Sequence, residues 1–241
     1  MTATAAQNAY SDMKTAVRIL LAIALCAIAT AATAETHYKP HISIGGRAGM
    51  TMSKVSFSPS VKQLWNNGTS GAVTFRYTEE KIFGLIAELG WQTRGWKENF
   101  EGAPFSYSHS LTYVRLPLLT HIYFGSPRFK CFINLGPEFS YMISDKISAD
   151  FDYRDPASVA DFPIANRMTE QMATPIKNKF DYGIAGGAGI EFYISPRNSI
   201  TLEGRYYFGL GNIFPAAKAD TFSASRNTSV EVTVGYNFRL K

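Results

Sequence analysis

The chain has 241 residues, of which 46% are hydrophobic and only 18% charged, whereas roughly a quarter of an average soluble domain is charged. The formal net charge of +5 is spread along the chain without a block of Lys and Arg, which argues against nucleic-acid binding. A mean hydropathy of −0.08 argues against a helical membrane protein. Aromatic residues make up 14% of the chain.

The first long apolar run has the layout of a secretory signal peptide. Lys14 and Arg18 precede an apolar core at 19–32, and the small residues Ala32-Thr33-Ala34 come directly before Glu35. The core is shorter than the roughly 20 residues that a membrane-spanning helix needs. Residues 1–12 precede a second Met and are interpreted as an upstream extension. We therefore expect 1–34 to be removed and 35–241 to form the mature domain.

After residue 40, no segment keeps a helical apolar period for three turns, whereas the alternation typical of β-strands recurs eight times. One face of each predicted strand is rich in Val, Ile, Leu, Phe and Tyr, and the other is polar. The predicted strands span roughly 41–57, 71–78, 83–95, 110–124, 129–142, 180–194, 199–209 and 228–239.

The connections between these strands alternate in length. Four-residue turns at 78–81, 125–128 and 195–198 alternate with long connections at roughly 58–70, 96–109, 143–179 and 210–227. Short periplasmic turns and long external loops are typical of outer-membrane barrels. The sequence therefore predicts an all-β fold, an eight-stranded antiparallel up-and-down transmembrane β-barrel.

A soluble lipocalin-like barrel with an apolar interior would show the same alternation, so alternation alone leaves both orientations open. Aromatic residues toward the ends of the apolar faces favour lipid contact, because such girdles mark the two membrane interfaces. Glycines on the polar face suit a crowded lumen. The last strand also carries Tyr236 and Phe238 close to its end, which resembles an outer-membrane insertion signal. We expect the protein in the outer membrane, in contact with its lipid.

The polar face carries seven basic and five acidic residues, predicted to line the lumen. They are Arg47, Arg76, Glu88, Arg94, Arg115, Lys130, Glu138, Glu191, Glu203, Arg205, Glu231 and Arg239. Eight strands leave an interior that side chains can fill, and buried charges must be paired. Glu203 is expected to face Glu191 or Glu231, near Arg239. The sequence favours an ion-pair network that plugs the lumen, with a narrow channel as the alternative.

Evidence for catalysis or a cofactor is weak. Only His109 lies where an outer-membrane hydrolase would place its histidine, with Ser106, Ser108 and Ser110 around it in a predicted external loop. The glycine-rich stretch 183–189 lacks the Lys-Ser/Thr ending of a phosphate-binding loop. No Cys/His spacing suits a metal. We expect a protein that is not an enzyme and that has no cofactor, metal site or catalytic residue.

Five segments resemble the PorT-like outer-membrane β-barrel proteins of Bacteroidetes across nearly the whole mature chain. They are 45–50 (GGRAGM), 87–95 (AELGWQTRG), 113–119 (YVRLPLL), 181–191 (DYGIAGGAGIE) and 203–212 (EGRYYFGLGN). The resemblance implies an eight-stranded outer-membrane barrel, usually without a demonstrated activity. The founding member of that family belongs to a secretion apparatus.

The 143–179 loop is too long to be a simple connection, and it holds Phe151, Tyr153, Phe162, Met168 and Met172 among acidic residues. It is expected to be a surface crown or a segment that binds other envelope proteins. The sequence thus favours a monomeric surface protein with a structural or partner-binding role. A component of a PorT-like secretion assembly and a narrow channel are the alternatives.

Overall fold

The computed structural model describes residues 40–79, 82–164, 167–218 and 220–240, so the predicted signal peptide and the last two residues of the 78–81 turn lie outside it. Nine strands are present in the described residues. They are β1 His41–Ser58, β2 Gln63–Leu64, β3 Asn66–Thr78, β4 Phe83–Glu98, β5 Tyr107–Gly125, β6 Phe129–Ala149, β7 Phe180–Ser195, β8 Asn198–Gly209 and β9 Ala224–Arg239.

Eight of these strands close into a ring. The hydrogen-bonded order is β4-β3-β1-β9-β8-β7-β6-β5, every pair is antiparallel, and β5 pairs again with β4. The two-residue strand β2 adds to the end of β4. No helix in the part of the chain that the structure describes is long and apolar enough to cross a membrane. The predicted eight-stranded up-and-down barrel is confirmed.

The outward-facing side chains form an apolar band around the ring, here called the lipid belt. Met50 is 76% exposed and Leu89 60% exposed, which a protein surrounded by water would not tolerate over a whole band. Aromatic side chains such as Trp91 and Phe124 lie toward its two edges. The belt covers the outward-facing positions of 42–52, 71–77, 83–91, 114–124, 129–143, 180–194, 200–210 and 230–238.

Beyond the lipid belt, at the end that carries the long connections, the strands continue as a collar. The collar comprises 54–58, 66–70, 92–98, 107–112, 144–149 and 224–228. In the collar the inward face is apolar and the outward face is polar, the reverse of the lipid belt. Trp96 and Leu111 point inward and are fully buried, while Lys97 is exposed. Several strands are therefore longer than predicted. β4 ends at Glu98 instead of near 95, and β5 begins at 107.

Three long connections fold over the collar and complete an apolar core inside it, here called the cap. The strands contribute residues such as Trp96 and Leu111, and the connections contribute Phe100, Met172 and Phe214, all buried. The 150–179 segment contains a 3₁₀ turn at Pro156–Ser158 and a short helix α1, Glu170–Ala173. Aromatic residues of this segment pack against the core, among them Phe151, Tyr153 and Phe162.

Pro117 lies inside β5, and a proline within a strand often marks a bulge, but the register of β5 against β6 is the same on both sides of Pro117. The shift occurs instead between Thr112 and Tyr113, where β5 passes from the lipid belt into the collar. The bulge therefore marks the level at which the two faces exchange polarity, which fits the role of bulges in re-aiming side chains.

Candidate functional site in the barrel lumen

The structure buries ten of the twelve charged residues singled out for the lumen and leaves two half-buried at the periplasmic end. The half-buried residues are Lys130 and Arg239. Lys130 Nζ lies 4.3 Å from the ring centre of Tyr123 and 4.9 Å from that of Tyr193. The buried residues are Arg47, Arg76, Glu88, Arg94, Arg115, Glu138, Glu191, Glu203, Arg205 and Glu231.

Arg47 on β1 lies at the centre of the largest ion-pair cluster. Its guanidinium reaches three carboxylates, with Nε 3.2 Å from Glu88, Nη1 3.1 Å from Glu203 and Nη2 3.1 Å from Glu231. Glycine at 235 makes room for it, because a Cβ at that position would come within 3.2 Å of the Arg47 Cβ and 2.6 Å of Thr201 Oγ1. One arginine thus ties together β4, β8 and β9.

Two bidentate ion pairs cross the whole lumen. Arg205 on β8 donates from Nη1 and Nη2 to the two oxygens of Glu88 on β4, at 2.8 and 3.1 Å. Arg115 on β5 donates to the two oxygens of Glu231 on β9, at 2.9 and 2.6 Å. In the ring, β8 stands opposite β4 and β5 stands opposite β9. These bonds therefore join facing walls of the barrel.

Arg94 extends the cluster toward the collar. It pairs with Glu138 on β6 and lies 3.3 Å from Asp181 on β7, and its guanidinium carbon lies 3.7 Å from the ring centre of Tyr207. Arg115 joins this part to the rest, since Nη1 is 3.7 Å from Glu138. Nine side chains form one connected set, here called the lumen network: Arg47, Glu88, Arg94, Arg115, Glu138, Asp181, Glu203, Arg205 and Glu231.

The partners of Glu203 differ from the expected ones. Glu203 stands opposite Thr233 in the β8–β9 register and accepts hydrogen bonds from Arg47, Arg205 and Asn134. Arg239 lies at the periplasmic end of β9, where its guanidinium carbon is 5.8 Å from the ring centre of Tyr193. The expectation considered only neighbouring strands, whereas long arginine side chains reach across the lumen.

A separate pair lies below the network toward the periplasm. Arg76 on β3 donates to both oxygens of Glu191 on β7, at 2.8 and 2.9 Å, and Ser199 Oγ donates to the same carboxylate at 2.6 Å. Between this pair and the network is a cavity of about 20 Å³, lined partly by Phe132 and Asn134. Such a volume has room for about one water molecule.

Asp181 and several neutral polar residues complete the lumen but were absent from the predicted set. Asp181 shares the inward-facing parity of Glu191, and this parity was the available signal. Asn227 Nδ2 donates to Asp181 at 2.9 Å, and Gln92 accepts from Arg94 at 2.8 Å. In the described residues, no group of three or more His, Cys, Asp or Glu side chains could hold a metal ion.

A second polar cluster fastens the 150–179 segment to the collar, and we call it the latch. Glu98, the last residue of β4, accepts hydrogen bonds from Arg167 Nη1 at 3.2 Å and from Gln171 Nε2 at 3.0 Å. Arg167 also donates to the Asn99 carbonyl and lies over the Phe100 ring at 4.5 Å. Sequence reasoning missed the latch because its members are about 70 residues apart.

The latch predicts a pH dependence of the cap. Glu98 lies beyond the lipid belt, and burial in the cap raises its pKa from 4.5 to about 7, despite the opposing effect of Arg167 and Gln171. The folded cap therefore holds the proton more tightly than the open form, and the stability of the cap falls as pH rises between these two values. We expect proteolysis of 150–179 to be faster, by roughly threefold, at about pH 8 than at about pH 5, because the opposing titration of buried His109 offsets part of the Glu98 effect.

Glu98→Gln is the control, because it keeps the shape of the side chain and removes its titration. The variant should lose this rise in proteolysis at high pH. Burial also lowers the pKa of His109, the neighbouring titratable group, so the His109 contribution to cap stability grows with pH and opposes that of Glu98. A pH profile that is the same in Glu98→Gln and in the original chain would contradict the assignment.

His109, the residue considered for catalysis, lies within β5 and not in an external loop. It is 1% exposed, and its ring centre is 4.6 Å from that of Trp96 in the cap. Ser108 and Ser110 occupy alternate positions of the same strand, on its opposite face, and Ser106 is exposed outside the strand. The three serines and His109 are thus not brought together.

The closed ring, the lipid belt and the polar lumen define an outer-membrane β-barrel. Residues 34–215 match the family described as "Outer membrane protein beta-barrel domain", and the chain belongs to this family. The predicted location in the outer membrane is confirmed. No curated protein matches the chain.

Solved structures similar to this chain include three from outer membranes. Ail of Yersinia pestis, solved with the heparin analogue sucrose octasulfate, has 13% identity and a TM-score of 0.39 over 82% of this chain and 99% of its own. OprG of Pseudomonas aeruginosa has 12% identity and a TM-score of 0.49 over 82% and 95%. Outer Membrane Protein W of E. coli has 15% identity and a TM-score of 0.42 over 84% and 100%.

Proposed function

We propose that this protein is a monomeric, non-enzymatic outer-membrane protein with a closed lumen and a structural or partner-binding role at the cell surface. The observation that carries the proposal is the lumen network, in which Arg205–Glu88 and Arg115–Glu231 join facing walls of the barrel. A solute would have to break these pairs to pass. Removing one partner of a buried ion pair costs about 3–5 kcal/mol, which is a high barrier to conduction.

The cap supports the same proposal from the extracellular end. Its core fills the inside of the collar with fully buried side chains such as Trp96, Leu111 and Met172. A solute entering from outside would meet this apolar layer before reaching the charges. The burial of His109 in the cap supports a role without catalysis, because a substrate would have no access to its ring.

The surface of the cap supports a partner-binding role. Ile164 is 48% exposed and lies beside a groove of about 430 Å³ that Ser60, Lys62 and Met168 also line. An apolar side chain beside a basic one is a common composition for contact with another protein. On this proposal, the 143–179 connection contributes both to closing the barrel and to its outer contact surface.

A role in a PorT-like secretion assembly is the second candidate, and the five segments that resemble that family favour it. Such a role would depend on protein contacts and would be compatible with a closed lumen. Purification from native outer membranes distinguishes the two. A stable partner in fixed stoichiometry would favour the secretion assembly, and a barrel that purifies alone would favour an independent surface protein.

Vesicle swelling tests the closed lumen. Vesicles that contain the folded protein should swell in a solution of the small sugar arabinose no faster than protein-free vesicles, because the network and the cap leave no continuous path. Vesicles that contain an open porin serve as the positive control. Swelling clearly above the protein-free rate would replace the proposal with the narrow-channel alternative.

A further inference from the structure

A groove of about 620 Å³ opens on the outer wall where β6, β7 and the connection after β8 leave the lipid belt. Its lower edge is aromatic, with Tyr141 paired to Phe180 across two strands and Tyr182 beside them. All three side chains are between 44% and 55% exposed. Its upper edge carries Lys177 and Lys179, both exposed, from the segment that precedes β7.

The groove is built by hydrogen bonds between its two sides. Asn178 Nδ2 donates to the carbonyl of Asn212 at 2.8 Å, which joins the segment before β7 to the segment after β8. The Met142 amide donates to the Lys179 carbonyl at 2.8 Å, which fixes the backbone of that lysine against β6. The concave shape is therefore held in place without a ligand, as in most binding sites for small molecules.

The charge of the groove and its position at the headgroup region of the membrane indicate the kind of ligand that it binds. None of the described residues that line it is acidic, so two ammonium groups face the opening without a lining carboxylate. Aromatic belts lie at the level of the lipid headgroups, and this one lies at the end with the long connections, which is the outer leaflet. Ammonium groups bind phosphate, and the aromatic rings and Asn178 suit a sugar and the beginning of an acyl chain.

We propose that this groove binds the phosphorylated sugar headgroup of an outer-leaflet glycolipid. The lipid source is favoured over a soluble phosphate because the lower edge of the groove runs without a break into the lipid belt at Phe180 and Tyr182. Acyl chains of a bound lipid can then follow β7 downward. This site lies on the outside of the barrel, so it is independent of whether the lumen conducts.

Native mass spectrometry of the detergent-solubilised full barrel tests this proposal, with diphosphoryl lipid A as the probe. The original chain should bind the probe at least tenfold more tightly than the same lipid without its phosphates. Lys177→Gln/Lys179→Gln should weaken binding of the phosphorylated lipid by about thirtyfold, because each basic residue near an anionic lipid surface contributes about a fivefold factor.

Lys97→Gln/Arg197→Gln is the matched control, because it removes the same charge from two exposed positions away from the groove, one on β4, opposite β8 in the ring, and one in the β7–β8 turn. It should leave binding unchanged. Equal binding of the phosphorylated and the phosphate-free lipid by the original chain would overturn the proposal. An equal loss of binding in the two double variants would also overturn it. Competition by inorganic phosphate at concentrations that match the lipid would also overturn it, since the site would then recognise soluble phosphate.

Discussion

Arg47→Met is expected to lower the free energy of unfolding of the barrel by about 3–5 kcal/mol. Arg47 contacts Glu88, Glu203 and Glu231, so its removal leaves three buried carboxylates with less compensation. The lumen network holds four arginines against five acids, and the substitution changes this to three against five. Denaturant unfolding in detergent micelles or lipid vesicles measures the difference.

Two further variants make the Arg47 prediction specific. Arg197→Met removes an exposed arginine from the β7–β8 turn and should change stability by less than about 0.5 kcal/mol. Adding Glu203→Gln to Arg47→Met should restore part of the loss, because it removes one of the uncompensated charges. A loss below about 1 kcal/mol in Arg47→Met would mean that the network contributes little to the closed barrel.

Trp96→Ala should destabilise the cap by about 3–5 kcal/mol, because it removes a fully buried indole from the centre of an aromatic cluster. Ring centres of Phe57, His109 and Phe214 lie 5.4, 4.6 and 6.2 Å from that of Trp96. Trypsin should cleave the 150–179 segment faster by on the order of a hundredfold, since cleavage follows the population of the open cap. The network below does not contact Trp96, so the barrel should stay closed.

Trp65→Ala provides the matched control for the cap. Trp65 is 45% exposed on the outside of the collar, where its ring lies 4.8 Å from Lys54 Nζ. The same substitution there should leave the trypsin sensitivity of 150–179 within about twofold of the original. If trypsin cleaves 150–179 equally fast in both tryptophan variants, the stability of the cap does not depend on the buried core around Trp96.

The barrel itself could be predicted from the sequence because two signals agree. Period-two alternation located the eight strands, and the alternating loop lengths gave their up-and-down order. Both signals are strong within the lipid belt, where lipid outside and charge inside impose opposite demands on successive residues. The same parity placed residues such as Arg47 and Glu231 on the inward face.

The collar and the cap could not be predicted in this way. At the outer end the outside of each strand meets water and the inside meets the cap, so apolar residues move to the other parity. Trp96 is a strand residue, yet alternation across 96–109 is broken by this change, and the segment was predicted to be a loop. The partner residues Met172 and Phe214 come from distant connections, and only the folded chain brings them together.

The pairing inside the lumen was also beyond the sequence. The order of eight strands already places β4 opposite β8, so a contact between Glu88 and Arg205 was possible in principle. Which residues meet at the same height depends on the stagger of the strands around the barrel, and residue periodicity does not specify that stagger. For this reason the partners of Glu203 were predicted among its strand neighbours, while its arginine partners include Arg47 from β1.

Single-channel recording in planar lipid bilayers is the most direct test of a closed lumen. The folded original chain should insert without producing steady current steps, because the lumen network joins facing walls and the cap fills the outer mouth. The comparison is Arg47→Met/Trp96→Ala, which weakens both layers and should produce at least transient openings. Steady, uniform current steps from the original chain would contradict the account and identify the protein as a narrow channel.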